Sequence, residues 1–449
     1  MSVVIAGVLV GSIFTSFSLA NDTVTADQNV KRQAKIKNVI FLIGDGMGPA
    51  YNTAYRYLQD DPSTPYMENT AFDEHFVGMQ KTYSWDHEES ITDSAAAATS
   101  LSSGIKTYNG AIAVDMETQE VPTALELAKK QGKATGLVST SQINHATPAS
   151  FGAHDESRHD YDQIAGDYYD ELINGEHKID VMLGGGTDYF VRDDRNLAEE
   201  FEQDGYSYVT SKEELQKNQN NQLLGLFAPV GLEYAIDRPD SQPSLEEMTS
   251  AALDRLSKDK DGFFLMVEGS EIDWAGHDND IVAAMSEMKD FEKAYKAAIE
   301  FAKKDKHTLV VTTADHSTGG LTMGIDGEYK FDPTAITKAE HTPDYMAEQI
   351  ADGKEVKDVL TENINFELTS KELTSVQEAA KSEDGTEIDN AIEEIFNKRT
   401  GTGWTTGGHD GVDVNVYAYG PQSELFNGLH DNHELGKIMM ELMSGKRVK

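Results

Sequence analysis

Val39-Ile40-Phe41-Leu42-Ile43, running straight into Gly44-Asp45-Gly46-Met47-Gly48, is the stretch that decides the fold. Its apolar half shows neither a helical period nor alternation, which marks a short strand buried on both faces. Its second half is a tight, glycine-rich turn that leaves one carboxylate at the strand's end. The same design recurs outward along the chain. Residues 134–139, 181–183, 263–267, 308–312 and 414–419 read as further buried strands. Amphipathic helical patterns lie between them near 121–131, 244–256, 278–304 and 433–443. Strands alternating with helices predict an α/β fold, a mostly parallel central sheet covered by helices on both faces. The highly charged stretch 324–398 interrupts this pattern and reads as an insertion over the active face.

Chemistry collects where these strands end, which is where ligands bind in open α/β sheets. After 263–267 come Glu268-Gly269-Ser270-Glu271-Ile272-Asp273 and Trp274-Ala275-Gly276-His277. After 308–312 come Ala314-Asp315-His316, and after 134–139 come Asn144-His145-Ala146-Thr147. One aspartate after a strand is usually a turn or cap. Four such groups at strand ends favour a shared metal site. Asp273 and His277, four apart, reach one ion if a short helical turn follows the strand. Mixed nitrogen and carboxylate donors favour zinc, and all-oxygen sets favour magnesium. His75, His87, His159 and His177 stand in polar context and receive no role.

A second centre is Thr92-Asp93-Ser94-Ala95-Ala96-Ala97-Ala98-Thr99. The alanines favour a helix, and Asp93 or Thr92 is a good N-cap. Ser94 then sits in the first turn, where free N–H groups favour an anion. Alone this is an ordinary capped helix; beside metal ligands, Ser94 becomes a candidate nucleophile.

The charge balance limits the partners. Asp and Glu total 78 against 38 Lys and Arg, a net charge of −40 among 449 residues. Such a surface disfavours nucleic acid and anionic lipid, so no nucleic-acid or membrane partner is expected. An anionic substrate needs local positive charge to be held. The acidity suits either a well-solvated surface or salty surroundings, where the Debye length shrinks to about 3 Å at 1 M. Without cysteine, any zinc must be held by His, Asp and Glu. Residues 1–20 read as a signal peptide, with an apolar run over 3–17 ending in Ser18-Leu19-Ala20, although no Lys or Arg precedes the run. Residues 21–37 read as a polar leader, and 38–449 as the catalytic domain, in a periplasmic or secreted protein.

Together these motifs, with Ser157-Arg158 and Thr405-Thr406-Gly407-Gly408-His409, resemble the alkaline phosphatase family from about Lys37 to the C-terminus. The resemblance implies hydrolysis of phosphate monoesters through a covalent phosphoserine on Ser94, with two Zn2+ and one Mg2+. It implies Asp273, His277 and His409 for the first zinc, and Asp45, Asp315 and His316 for the second, with Ser94 as its reactive ligand. Asp45 would also bridge to a magnesium completed by Thr147 and Glu268, and Arg158 would clamp the phosphoryl group. Asp93, His145 and Trp274 would stand just behind these groups. Some family members have Asp at the place of His145 and Lys or His at that of Trp274. The nitrogen of His145 favours zinc near the magnesium position, and Trp274 removes a cation near the phosphate. A homodimer is implied as well.

Two other readings compete. A phosphodiesterase, nucleotide pyrophosphatase or sulfatase shares the two-zinc core, but the chain lacks the cysteine that commonly becomes the sulfatase nucleophile. A secreted phosphate- or metal-binding protein without turnover would leave Ser94 unexplained.

Overall fold

The computed structural model describes residues 36–382 and 384–444. The signal peptide expected at 1–20 lies outside the described residues, as does the leader at 21–37 apart from Ile36 and Lys37.

The scaffold is a 10-stranded sheet. In chain order its strands are β1 (Asn38–Gly44), β2 (Phe76–Lys81), β3 (Ala134–Gln142), β4 (Val181–Gly185) and β5 (Ser207–Val209). They continue with β6 (Leu223–Leu226), β7 (Phe263–Gly269), β8 (Thr308–Thr313), β9 (Val414–Tyr419) and β10 (Gly428–Asp431). Across the sheet the order is β10-β2-β9-β8-β1-β7-β3-β4-β6-β5. All pairs are parallel except those made by β9, which runs against β8 and β2.

β1 shows why the apolar run is continuous. Successive side chains point to opposite faces. Ile40 and Leu42 enter one core, shared with Leu253, Met285 and Phe291 from helices Leu245–Leu256 and Ile281–Lys304. Val39, Phe41 and Ile43 enter the other, with Ala95, Leu125, Phe151 and Leu435 from helices on that side. Both faces are dry, so neither can carry polar alternation.

Several boundaries differ from the sequence reading. Asp278 closes a short helix of its own, Glu271–Asp278, and the helix expected over 278–304 runs over Ile281–Lys304. Asn279 ends the first in a left-handed conformation (φ 62), and the Asp280 side chain accepts N–H bonds from Val282 and Ala283 to begin the second. The helix expected from 121 starts at Ala124, because Thr123 and Glu126 form a reciprocal capping box. The stretch 324–398 does not break the core. Its helices, among them Pro343–Ala351 and Gly385–Thr400, send Met346, Ile350, Ile392 and Phe396 into the cluster that holds Ile40. Stripes at helical spacing, not runs, carry its apolar content. His177 is buried against Tyr169, Phe201 and Tyr206, with its Nδ1 facing the Tyr169 carbonyl at 3.1 Å and its Nε2 facing Asp204 Oδ2 at 3.0 Å.

Candidate active site

Four neighbouring strands, β8, β1, β7 and β3, deliver their ends to one edge. Ile43 is level with Thr313 on one side and Glu268 on the other, and Ser139 is level with Glu268. Asp45, Asp315, His316 and the turn through His145 and Thr147 follow directly. Because β9 runs the opposite way, its entrance lies at this same edge. His409, just before it, is held there by a short antiparallel pair in which Thr318 faces His409.

The first donor set is Asp273, His277 and His409, with one donor atom from each lying within 4.8 Å of the others. His277 Nε2 is 3.1 Å from His409 Nε2 and 3.3 Å from Asp273 Oδ2. The Nδ1 of His277 faces the Gly407 carbonyl at 2.8 Å, and the Nδ1 of His409 faces the Thr92 carbonyl at 2.8 Å. A carbonyl only accepts, so each Nδ1 carries a proton and each ring turns its Nε2 towards its neighbour. Two lone pairs at that separation repel unless a cation or proton lies between them.

The second set is Asp45, Asp315 and His316, joined by Ser94. His316 Nε2 is 3.3 Å from Asp45 Oδ1, 3.3 Å from Asp315 Oδ2 and 3.1 Å from Ser94 Oγ. Asp315 Oδ1 accepts from the Gly46 N–H at 3.2 Å. Gly46 must be glycine here: its φ is +69, and a Cβ would lie 2.8 Å from the Asp273 Cα. Asp93, not Thr92, caps the helix Ser94–Ser103 by accepting from the Ala96 N–H at 2.9 Å. Ser94 therefore occupies the first helical turn, among N–H groups without helical partners.

The third set joins Asp45 to Glu268, with His145 and Thr147 beside them. Asp45, His145 and Glu268 bring one donor atom each within 4.8 Å. Both carboxylate oxygens of Asp45, Oε1 of Glu268, Oγ1 of Thr147 and Nδ1 of His145 are buried without a hydrogen-bond partner. Buried polar atoms are rarely left so, and a cation among them supplies what is missing. Arg158 reaches in from the solvent side. Its Nη1 donates to Asp93 Oδ2 at 3.0 Å, and its Nη2 donates to His145 Nε2 at 3.1 Å. Trp274 packs edge-on against His145, their ring centres 6.0 Å apart.

The electrostatics point the same way. Asp45, Glu268 and Asp315 are 0% exposed and Asp273 is 3% exposed. Burial first, then mutual repulsion, holds the carboxyls of Asp45 and Asp315 well above the usual range. Burial raises Glu268 too, against the hydroxyls that donate to it. For Asp273 burial is outweighed by the His277 hydrogen bond and the facing imidazoles, and its carboxyl falls below the usual range. The same hydrogen bond lifts His277 to about 9. Burial and then Arg158 hold His145 down to about 3. A cluster this dry and this negative fits divalent cations.

Some of the supporting groups carried no sequence signal. The Thr318 hydroxyl donates to Asp273 Oδ1 and lies 3.3 Å from His316 Nδ1, so it orients both. Ser139 donates to Glu268 Oε2 at 2.6 Å and is linked to Ser141 and Ser270 at 2.8 Å each. Nothing distinguishes such serines and threonines from others before the strands are aligned.

Comparison with known proteins completes the description. The sequence profile of the alkaline phosphatase family matches residues 36–444. Alkaline phosphatase 3 of Bacillus subtilis is 60% identical over 441 residues, covering 97% of this chain and 96% of that protein. The crystal structure of a cold-active alkaline phosphatase from a psychrophilic Shewanella superposes with a TM-score of 0.85 at 41% identity, covering 90% of this chain and 99% of that one. A histidine-substituted variant of the alkaline phosphatase from the Antarctic bacterium TAB5, solved with Mg bound in its M3 site, is 29% identical with a TM-score of 0.66, covering 93% and 100%.

Proposed function

The chain belongs to the alkaline phosphatase family and is a metal-dependent hydrolase of phosphate monoesters, and from that premise we propose that Ser94 is its nucleophile, working with Arg158 beside two Zn2+ and one Mg2+. Asp273, His277 and His409 hold one zinc; Asp45, Asp315 and His316 hold the other; Asp45, Thr147 and Glu268 hold magnesium. The observation that carries this reading is Ser94 Oγ at a helix start, 3.1 Å from a ring nitrogen that also faces two buried carboxylates.

When bound, the cations supply positive charge at the attacking and leaving oxygens and lower the pKa of the serine hydroxyl and of water. The chain's own groups do the rest. Ser94 Oγ forms its bond to phosphorus as the ester P–O bond breaks, releasing the alcohol and leaving a phosphoserine. Water then attacks phosphorus from the vacated side, breaks the Ser94 linkage and releases inorganic phosphate. Arg158 turns its planar fork to two non-bridging oxygens, where charge concentrates in a loose transition state. Asp93 holds that fork from behind while capping the helix that carries Ser94. Everything recognised belongs to the phosphoryl group, so many alcohols are accepted. An aryl phosphate monoester should therefore be cleaved far faster than the matching diester in parallel assays, and a diester preference would overturn the reading.

Two further expectations arise from individual residues. Arg158→Ala should raise KM for a monoester about tenfold to a hundredfold, the loss of one or two hydrogen bonds to a charged group. Zinc content should stay unchanged; zinc lost along with affinity would make Arg158 a structural residue instead. His277 sets the pH response. In the metal-free protein its raised value of about 9 means that it is protonated at neutral pH. Zinc binding must displace that proton. Zinc affinity of the first site should thus rise about tenfold per pH unit up to about pH 9 and then level off. Isothermal titration in buffers of different ionisation heat reads the released proton, and pH-independent affinity would exclude His277 as a ligand.

Export to the periplasm or medium rests on the apolar run over 3–17 and its small-residue end. Among the described residues no helix is long and apolar enough to cross a membrane. A homodimer is proposed from likeness to the family.

A further inference from the structure

Behind the turn that carries His277 lies another group of carboxylates that the phosphatase chemistry does not use. Asp278, Asp389 and Glu393 bring one oxygen each within 4.8 Å of one another. Asp389 and Glu393 stand one turn apart on helix Gly385–Thr400, so both project from one face. They are 3% and 4% exposed, and Asp389 Oδ1 and Glu393 Oε1 have no hydrogen-bond partner.

Asp280 adds an observation of a different kind. It is 1% exposed, and its Oδ1 already accepts the N–H groups of Val282 and Ala283 at the start of the next helix. Its Oδ2 is buried without a partner, and its charge bears on both Asp389 and Glu393. A helix cap needs only one oxygen, so the second is left over. Burial first, then the neighbouring carboxylates, pushes Asp280 to about 8, Asp389 to about 9 and Glu393 to about 11. Such repulsion is relieved either by protons or by a cation.

We propose that Asp278, Asp389 and Glu393, with the charge of Asp280 beside them, form a calcium site that ties helix Gly385–Thr400 to the turn between helices Glu271–Asp278 and Ile281–Lys304. Oxygen donors without nitrogen select a hard cation over zinc. Calcium takes six to eight oxygens, including bidentate carboxylates, whereas magnesium keeps several waters and binds through one or two carboxylates. Three carboxylates from two elements, with a fourth buried carboxylate acting on them, therefore suit calcium. The ion reinforces a link already present, the Asn397 side-chain amide donating to the Asn279 carbonyl at 3.1 Å. Because Asp278 follows His277 directly, the calcium steadies the backbone that presents a zinc ligand.

The test uses the full-length enzyme with zinc and magnesium saturating and calcium removed. Bound calcium is measured by equilibrium dialysis, and the thermal midpoint is followed as CaCl2 is added. The comparison protein is Asp389→Asn/Glu393→Gln, or the single variant Glu393→Gln if the double one does not fold. Weak uptake by the acidic surface is common to both and cancels. The expected result is one more calcium bound by the wild type, with a rise of several degrees in its midpoint, and loss of both in the variant. Equal uptake and equal shifts in the two proteins, or no calcium-dependent shift in the wild type, would overturn the proposal and leave the cluster neutralised by protons. Neither readout depends on catalysis, so failure here is distinct from failure of the Ser94 mechanism.

Discussion

On the proposed mechanism, Ser94→Ala should lower turnover of a phosphate monoester by at least about a thousandfold, because it removes the atom that would accept the phosphoryl group. The change is mild for the fold. Ser94 is 1% exposed in the first turn of a helix whose next residues are alanines, and Asp93 still caps that turn. Donor atoms on Asp45, Asp315 and His316 remain in place, so zinc content should be close to normal. The variant should also fail to acquire a phosphoryl group when quenched during turnover. Activity within tenfold of the wild type, with zinc present, would mean that water attacks the ester directly and that Ser94 only lines the cleft.

Removal of the cations has an effect of comparable size on rate and a second effect on stability. Asp45, Glu268, Asp273 and Asp315 are buried together, and Asp45 and Glu268 retain oxygens without partners. With the ions gone, these groups must take up protons or repel one another. Chelation should reduce hydrolysis to background, and zinc with magnesium should restore it. An ion present at a thousandfold its dissociation constant stabilises the folded state by about 4 kcal/mol, so the urea midpoint should fall markedly on chelation. Chelated protein that unfolds at the same urea concentration and still turns over would remove the metal sets from both roles.

Much of this architecture was legible in order along the chain, and the reason is physical. A strand buried on both faces has to be apolar throughout, so β1, β3, β7 and β8 announce themselves, and a ligand just past such a strand is placed at the active edge by topology alone. Asp45, Glu268, Asp315 and His316 were readable for that reason. His409 was reachable only through the resemblance of Thr405–His409, since nothing local reveals that β9 runs backwards and brings its entrance to that edge. β5, β6 and β10 are short, β2 and β6 carry glycine, and neither feature stands out in a sequence. Thr318 and the Ser139–Ser141–Ser270 chain were invisible because their importance depends on what faces them across strands. How the stretch 324–398 packs was not legible, because its apolar residues fall every third or fourth place and form no run. Asp278 and Asp280 stand at the start of the helical pattern over 278–304, and nothing there marks a carboxylate cluster until helix Gly385–Thr400 is laid against them.

The most direct test of the central claim is mass spectrometry of the metal-loaded enzyme, mixed with a phosphate monoester, quenched in acid and digested. The account predicts one phosphorylated peptide, spanning Thr92 to Thr99, with the phosphoryl group on Ser94. Steady hydrolysis with no phosphopeptide, or with the group on any other residue, would contradict it.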